Sequence, residues 1–192
     1  GANTKVPFSE ADHVNSPVSL YAATKRADEL MSESYARLYG MRQVGLRFFT
    51  VYGPWGRPDM AYWSFAEKIL AGEPIQVFNH GELERDFTYI DDVVSGVVAT
   101  ALQPMKLVND VPHRIYNIGN NTPVQLMRFI EVLEQAIGKK AKLQFEPMQP
   151  GDVHSTYADV SAIAADYGFA PSTPLETGIP IFIDWFRTYL EN

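Results

Sequence analysis

No cysteine occurs in this sequence. That excludes disulfides and thiolate metal sites, and it fits a reducing compartment. Excess positive charge is also absent: 16 Lys and Arg face 23 Asp and Glu, a net charge of -7. A general nucleic-acid binder needs the opposite sign over a broad surface. A local basic pocket for one small anion stays compatible with this balance. No apolar run is long enough to span a bilayer. The sequence opens on the polar "GANTKVPFSE" and not on a basic, apolar leader, so no export signal and a cytoplasmic location are expected. The four histidines, His13, His80, His113 and His154, are widely spaced, and no metal site is expected.

What is present is an ordinary globular composition, 46% hydrophobic and 20% charged. The opening residues, up to Pro17, are rich in turn formers and read as a loop. A long helix follows, with Leu20, Ala23, Ala27, Leu30, Met31, Ser34 and Leu38 on one face and Gly40 as its stop. "RQVGLRFFTVY", residues 42–52, reads as one buried strand ended by Gly53 and Pro54. Asp59 is a candidate N-cap for the next helix, and Asp91 or Asp92 for the helix after "RDFTYI". "PIQVF", "RDFTYI", "HRIYNIG" and "AKLQFEP" are strand candidates. "TPVQLMRFIEVLEQAIG" is an amphipathic helix, with Thr122 and Pro123 at its start and Gly138 at its end. Two closing helices include Pro180, a possible kink point. Strands alternate with helices throughout, which predicts an α/β fold.

Four segments could carry chemistry. In "SLYAATKRADELM", Tyr21 and Lys25 stand four apart and share one helix face. An ammonium beside a phenol favours the phenolate, which can act as a general base towards a hydroxyl. On spacing alone the pair reads equally as two helix neighbours, since the chain has ten tyrosines. "RFFTVYGPWGRPDM" ends a strand in Thr50 and continues into a Gly/Pro loop bearing Arg57. Ligands of open α/β sheets bind at such strand ends, although Arg57 could also be a surface arginine in a turn. "RDFTYIDDV" places Arg85 after a turn, where it could meet a phosphate or pair with Glu84 or Asp86. Asp152, after a Pro-Gly turn, could face ribose hydroxyls or be an ordinary turn acid.

In this order and spacing, "YAATK", "RFFTVYGPWGRPDM", "ERDFTYIDDVV", "YNIGNN" and "PGD" resemble the extended short-chain dehydrogenase/reductase family. The similarity runs along essentially the whole chain and is strongest to its nucleotide-sugar epimerase branch, in particular to UDP-glucuronate 4-epimerases. The resemblance implies a Rossmann-type NAD-binding fold with a smaller α/β substrate subdomain. Residues 1–60 would be a remnant of the NAD-binding domain. Residues 61–192 would be mainly the sugar-nucleotide subdomain, with some segments returning to the Rossmann sheet.

The resemblance also implies the roles. Tyr21 is the catalytic base, and Lys25 holds the nicotinamide ribose. Phe48 lies beside the nicotinamide. Thr50 and Arg57 hold the sugar carboxylate. Gln76, Val77 and Phe78 line the uracil, Arg85 meets the diphosphate and Asp152 the ribose. The implied reaction interconverts UDP-glucuronate and UDP-galacturonate through a 4-keto intermediate, for polysaccharide biosynthesis, in a homodimer. NAD is a bound cofactor that is regenerated. Gln149 stands where UDP-glucose 4-epimerases usually carry arginine, which weakens that alternative. UDP-glucuronate decarboxylase and dTDP-sugar 4,6-dehydratase remain alternatives within the branch, and a non-catalytic nucleotide-sugar-binding or dimerisation module remains one outside it. The family's Gly-rich phosphate loop and its catalytic Ser or Thr have no counterpart in these residues. The expectation is therefore a C-terminal part that is inactive alone.

Overall fold

The computed structural model describes residues 3–107, 110–149 and 153–191. Helix α1 (Leu20–Tyr39) starts at Ser19, whose hydroxyl accepts from the Ala22 N–H at 3.1 Å, and stops at Gly40. Strands β1 (Gln43–Phe48) and β2 (Thr50–Tyr52) follow. They replace the single strand expected over 42–52. The chain changes partners at Phe49: its N–H reaches Ile118 O at 3.0 Å, while the Thr50 N–H turns to Asp86 O at 3.1 Å.

Next come α2 (Ala61–Ala71), β3 (Pro74–Phe78), β4 (Glu84–Arg85) and β5 (Phe87–Tyr89). Asp59 does not cap α2. Met60 occupies that position without a side-chain bond, and Asp59 is held by Arg57. Helix α3 (Ile90–Leu102) starts one residue before Asp91, so neither Asp91 nor Asp92 caps it. Both acids lie in its first turn, where the helix dipole favours them, and Asp92 accepts from the Thr173 N–H at 2.9 Å.

Then follow β6 (His113–Ile118), β7 (Val124–Gln125) and α4 (Leu126–Ile137). Thr122 and Pro123 precede β7 and are not the start of the helix; Gly138 does end it. The chain closes with β8 (Lys142–Glu146), β9 (Ser155–Thr156), α5 (Ser161–Tyr167) and α6 (Leu175–Leu190). Helix α6 runs through Pro180 to Leu190.

Three two-stranded sheets are parallel: β1 with β6, β2 with β5, and β3 with β8. Strand β4 lies between antiparallel β7 and parallel β9. This is the expected α/β architecture. Two apolar cores sit behind it. One joins Val93, Tyr116, Ile118, Ile163 and Phe169, with Val44, Leu46 and Phe49 against it. The other is larger and packs α2, α4 and α6 over β3 and β5. Phe87 and Phe129 stack at its centre, 4.3 Å between ring centroids. Among the described residues no helix is long and apolar enough to cross a membrane.

One buried carboxylate ties distant segments together. Asp86, between β4 and β5, is fully buried and accepts from the backbone N–H groups of Ala158 at 2.8 Å, Asn120 at 2.6 Å and Asn121 at 3.1 Å, and from the Thr88 hydroxyl at 3.3 Å. Burial pushes its pKa up, and these four bonds pull against that push. Gly119 makes the approach possible: a Cβ there would lie 2.6 Å from Asp86 Oδ2 and from Ala158 Cβ.

Helix α1 is different in kind. Ala36 is its one buried residue, whereas Leu20, Leu30, Met31, Tyr35, Leu38 and Tyr39 are exposed. Six large apolar side chains of this one helix thus face outward.

Candidate active site

Helix α1 and strand β1 border a groove of about 430 Å³ lined by Tyr21, Lys25, Glu29, Arg47, Phe48 and His113, among others. Tyr21 and Lys25 reach it from successive turns of the helix, and Phe48 from the carboxyl end of the strand. The Lys25 Nζ stands 5.9 Å from the centre of the Tyr21 ring and donates to Asp28 at 2.8 Å. That bond to Asp28, and its negative charge, push the Lys25 pKa up. Lys25 thus stays a cation and keeps further N–H donors for a ligand. The Tyr21 side chain is open to solvent, at 70% exposure.

Two residues of this groove were given no place in the site from the sequence. Glu29 takes a two-pronged bond from Arg47, at 2.7 and 3.0 Å, and a further one from Arg26 at 3.0 Å. Burial alone would raise the Glu29 pKa; the two guanidinium groups outweigh it and hold the carboxyl low. This network joins α1 to β1 one residue before Phe48. His113 contributes a buried Nε2 with no hydrogen-bond partner among the described residues, and burial lowers its pKa. The signal for Glu29 was available: it lies one turn beyond Lys25, on a helix already singled out.

A second group of candidates lies on the loop after β2. Thr50 opens that strand, paired with Phe87. Arg57 follows in the loop and is exposed. Its Nε donates to Asp59 Oδ1 at 3.0 Å, and a second guanidinium nitrogen donates to Asp59 Oδ2. This pairing chiefly raises the Arg57 pKa; the nearby Tyr21 and Tyr62 add to it through their charge. The loop backbone is tightly packed, because the Tyr62 hydroxyl occupies the space that a Cβ on Gly56 would need.

Gln76, Val77, Phe78 and Arg85 are not among the residues that line the groove. Gln76 and Phe78 project from one face of β3, exposed and half-buried respectively; Val77 is fully buried on the other and could meet a ligand only through its backbone. Arg85 donates to the carbonyls of Glu84 at 2.7 Å and His154 at 3.3 Å. It lies beside a cavity of about 370 Å³ lined by His80, Gly81, Glu82, Glu84, Gln125, Met127 and His154. Asp152 lies outside the described residues. No three His, Asp or Glu among the described residues converge as metal ligands would.

A family model described as "NAD dependent epimerase/dehydratase family" matches residues 1–119. The chain belongs to this family. An uncharacterised protein of Methanocaldococcus jannaschii is 52% identical over the whole chain, which spans 56% of that protein. UDP-glucuronate 4-epimerase 1 of Arabidopsis thaliana is 46% identical over 98% of the chain and 47% of its own length. The crystal structure of a Bacillus cereus UDP-glucuronic acid 4-epimerase, in complex with UDP-glucuronic acid and NAD, superposes with a TM-score of 0.83 at 32% identity, over 91% of this chain and 54% of that one. The chain thus spans about half the length of the relatives it matches.

The groove suits the nicotinamide end of NAD, the family's cofactor. A flat aromatic side chain, a cation with spare donors and a phenol face one open space. The pyrophosphate end needs an N–H-lined Gly-rich turn, and the 192 residues contain no such motif.

Proposed function

We propose that this chain forms the Tyr-Lys and sugar-binding part of an NAD-dependent 4-epimerase that interconverts UDP-glucuronate and UDP-galacturonate. The observation that carries the reading is the single groove shared by Tyr21, Lys25 and Phe48. The names borne by the Arabidopsis and Bacillus cereus relatives support the substrate. In this reading the later part of the chain is the sugar-nucleotide subdomain, and the residues up to about 60 belong with the NAD-binding domain.

NAD, when bound, supplies the acceptor and donor for the hydride of the sugar C4–H bond. Tyr21 takes the 4-hydroxyl proton through its phenolic oxygen and returns it after the sugar turns over. Lys25 orients the ribose and keeps positive charge beside the phenol. Phe48 covers the nicotinamide face. Arg57 and Thr50 hold the C6 carboxylate by charge-assisted hydrogen bonds, Arg85 meets the diphosphate, and Asp152 the ribose. Two copies pair through the exposed face of α1 in the cytoplasm. Leu30→Asp should turn a full-length dimer into a monomer in sedimentation; an unaltered dimer would assign that face elsewhere.

Substrate choice tests the reading. The full-length enzyme should prefer UDP-glucuronate to UDP-glucose by well over tenfold in kcat/KM. A neutral hydroxymethyl group forfeits a contact worth about 2 kcal/mol. Arg57→Ala should erase most of that preference. Equal use of both sugars by the unaltered enzyme would reject the uronate assignment.

A further inference from the structure

The anion on Arg57 in this structure comes from the chain itself. Asp59 offers both carboxylate oxygens to two nitrogens of one guanidinium. A sugar carboxylate arriving at that same edge of the guanidinium would need those same donors. The two cannot hold that edge at once.

Three observations say what this pair does. Its side chains are exposed, 72% for Arg57 and 62% for Asp59, so it holds no core together. Asp59 has no capping duty, since α2 starts from Met60 without a side-chain bond. The backbone beneath is closed by the Tyr62 hydroxyl over Gly56, so exchange falls to the side chains and not to the loop.

We infer that Asp59 is a resident carboxylate that competes with the sugar's C6 carboxylate for Arg57, and so sets how tightly the site takes a uronate relative to a neutral sugar. This rests on the reading that Arg57 receives that carboxylate. While no uronate is present, Asp59 neutralises Arg57 and keeps it in its bidentate orientation. An arriving uronate exchanges one ion pair for another and gains only the difference. An exposed pair is weak enough for this exchange to occur readily. Asp59 acts through Arg57 and is a positioning residue.

The test measures kcat and KM for UDP-glucuronate and UDP-glucose in four full-length proteins: unaltered, Asp59→Asn, Arg57→Ala and the double variant. Asp59→Asn should lower the KM for UDP-glucuronate roughly threefold to fivefold relative to that for UDP-glucose, the range an exposed ion pair commands. The uronate kcat should move less than its KM. Added to Arg57→Ala, the same change should have no such effect on the KM ratio. A ratio that stays put or shifts against the uronate in Asp59→Asn overturns the competition, as does an equal shift with and without Arg57. Those results leave the Arg57 reading standing if Arg57→Ala erases the uronate preference. If Arg57→Ala leaves the preference intact, the carboxylate reading falls and the competition with it.

Discussion

Replacing Tyr21 by phenylalanine in the full-length enzyme should lower kcat by at least about a hundredfold while leaving UDP-sugar affinity within a fewfold of normal. A positioned acid-base group contributes typically 10²–10⁴-fold, and no other phenol lines this groove. The substitution removes one oxygen and keeps the ring. The ring is what packs over the helix turn, 5.9 Å from the Lys25 ammonium. Lys25 keeps its bond to Asp28, so its charge and orientation survive the change. Single-turnover kinetics alongside calorimetric titration of the UDP-sugar separates the two quantities. A variant that retains a tenth of its turnover would remove Tyr21 from the base role.

The other large effect concerns stability. Asp86→Ala should cost about 3–5 kcal/mol, because it strands the buried Ala158 N–H and Thr88 hydroxyl and the part-buried N–H groups of Asn120 and Asn121. The donors come from residues 88, 120, 121 and 158, so the loss loosens three stretches of chain together. Against a typical folding margin of about 5–15 kcal/mol, that is a severe change. Asp86→Asn should fall between the two, since its amide can accept on one side only. Urea denaturation of the three proteins reads the midpoints. A cost below about 1 kcal/mol for the alanine variant would mean that water satisfies these donors.

The sequence showed clearly whatever depends on short-range spacing. Tyr21 and Lys25 lie one helical turn apart, and the periodicity of α1 places them on a shared face whatever else surrounds them. Gly40 and Gly138 end their helices as expected. What stayed hidden depends on distant partners. "RFFTVY" contains no turn former, and the break at Phe49 exists only because β6 and β5 offer their edges from far along the chain. The residue beside Arg85 looked like its ion-pair partner, yet Asp86 turns inward to amides brought from beyond residue 118. Asp59 had two local options, an N-cap or a guanidinium two residues back. Both are compatible with the letters, and side-chain geometry selects the second.

The loop that carries Arg57 also carries Trp55, which is 79% exposed and lies against Trp185 and Tyr189 of α6, with ring centroids 5.2 and 6.2 Å away. Trp63 contacts Trp185 from the other side at 5.7 Å. These three are all the tryptophans of the chain. Its indole emission therefore arises from one connected cluster two residues from Arg57, with a water-facing fluorophore coupled to a buried one. A carboxylate that draws the guanidinium away from Asp59 perturbs the field at Trp55, so the exchange of anions can be followed by light without a label.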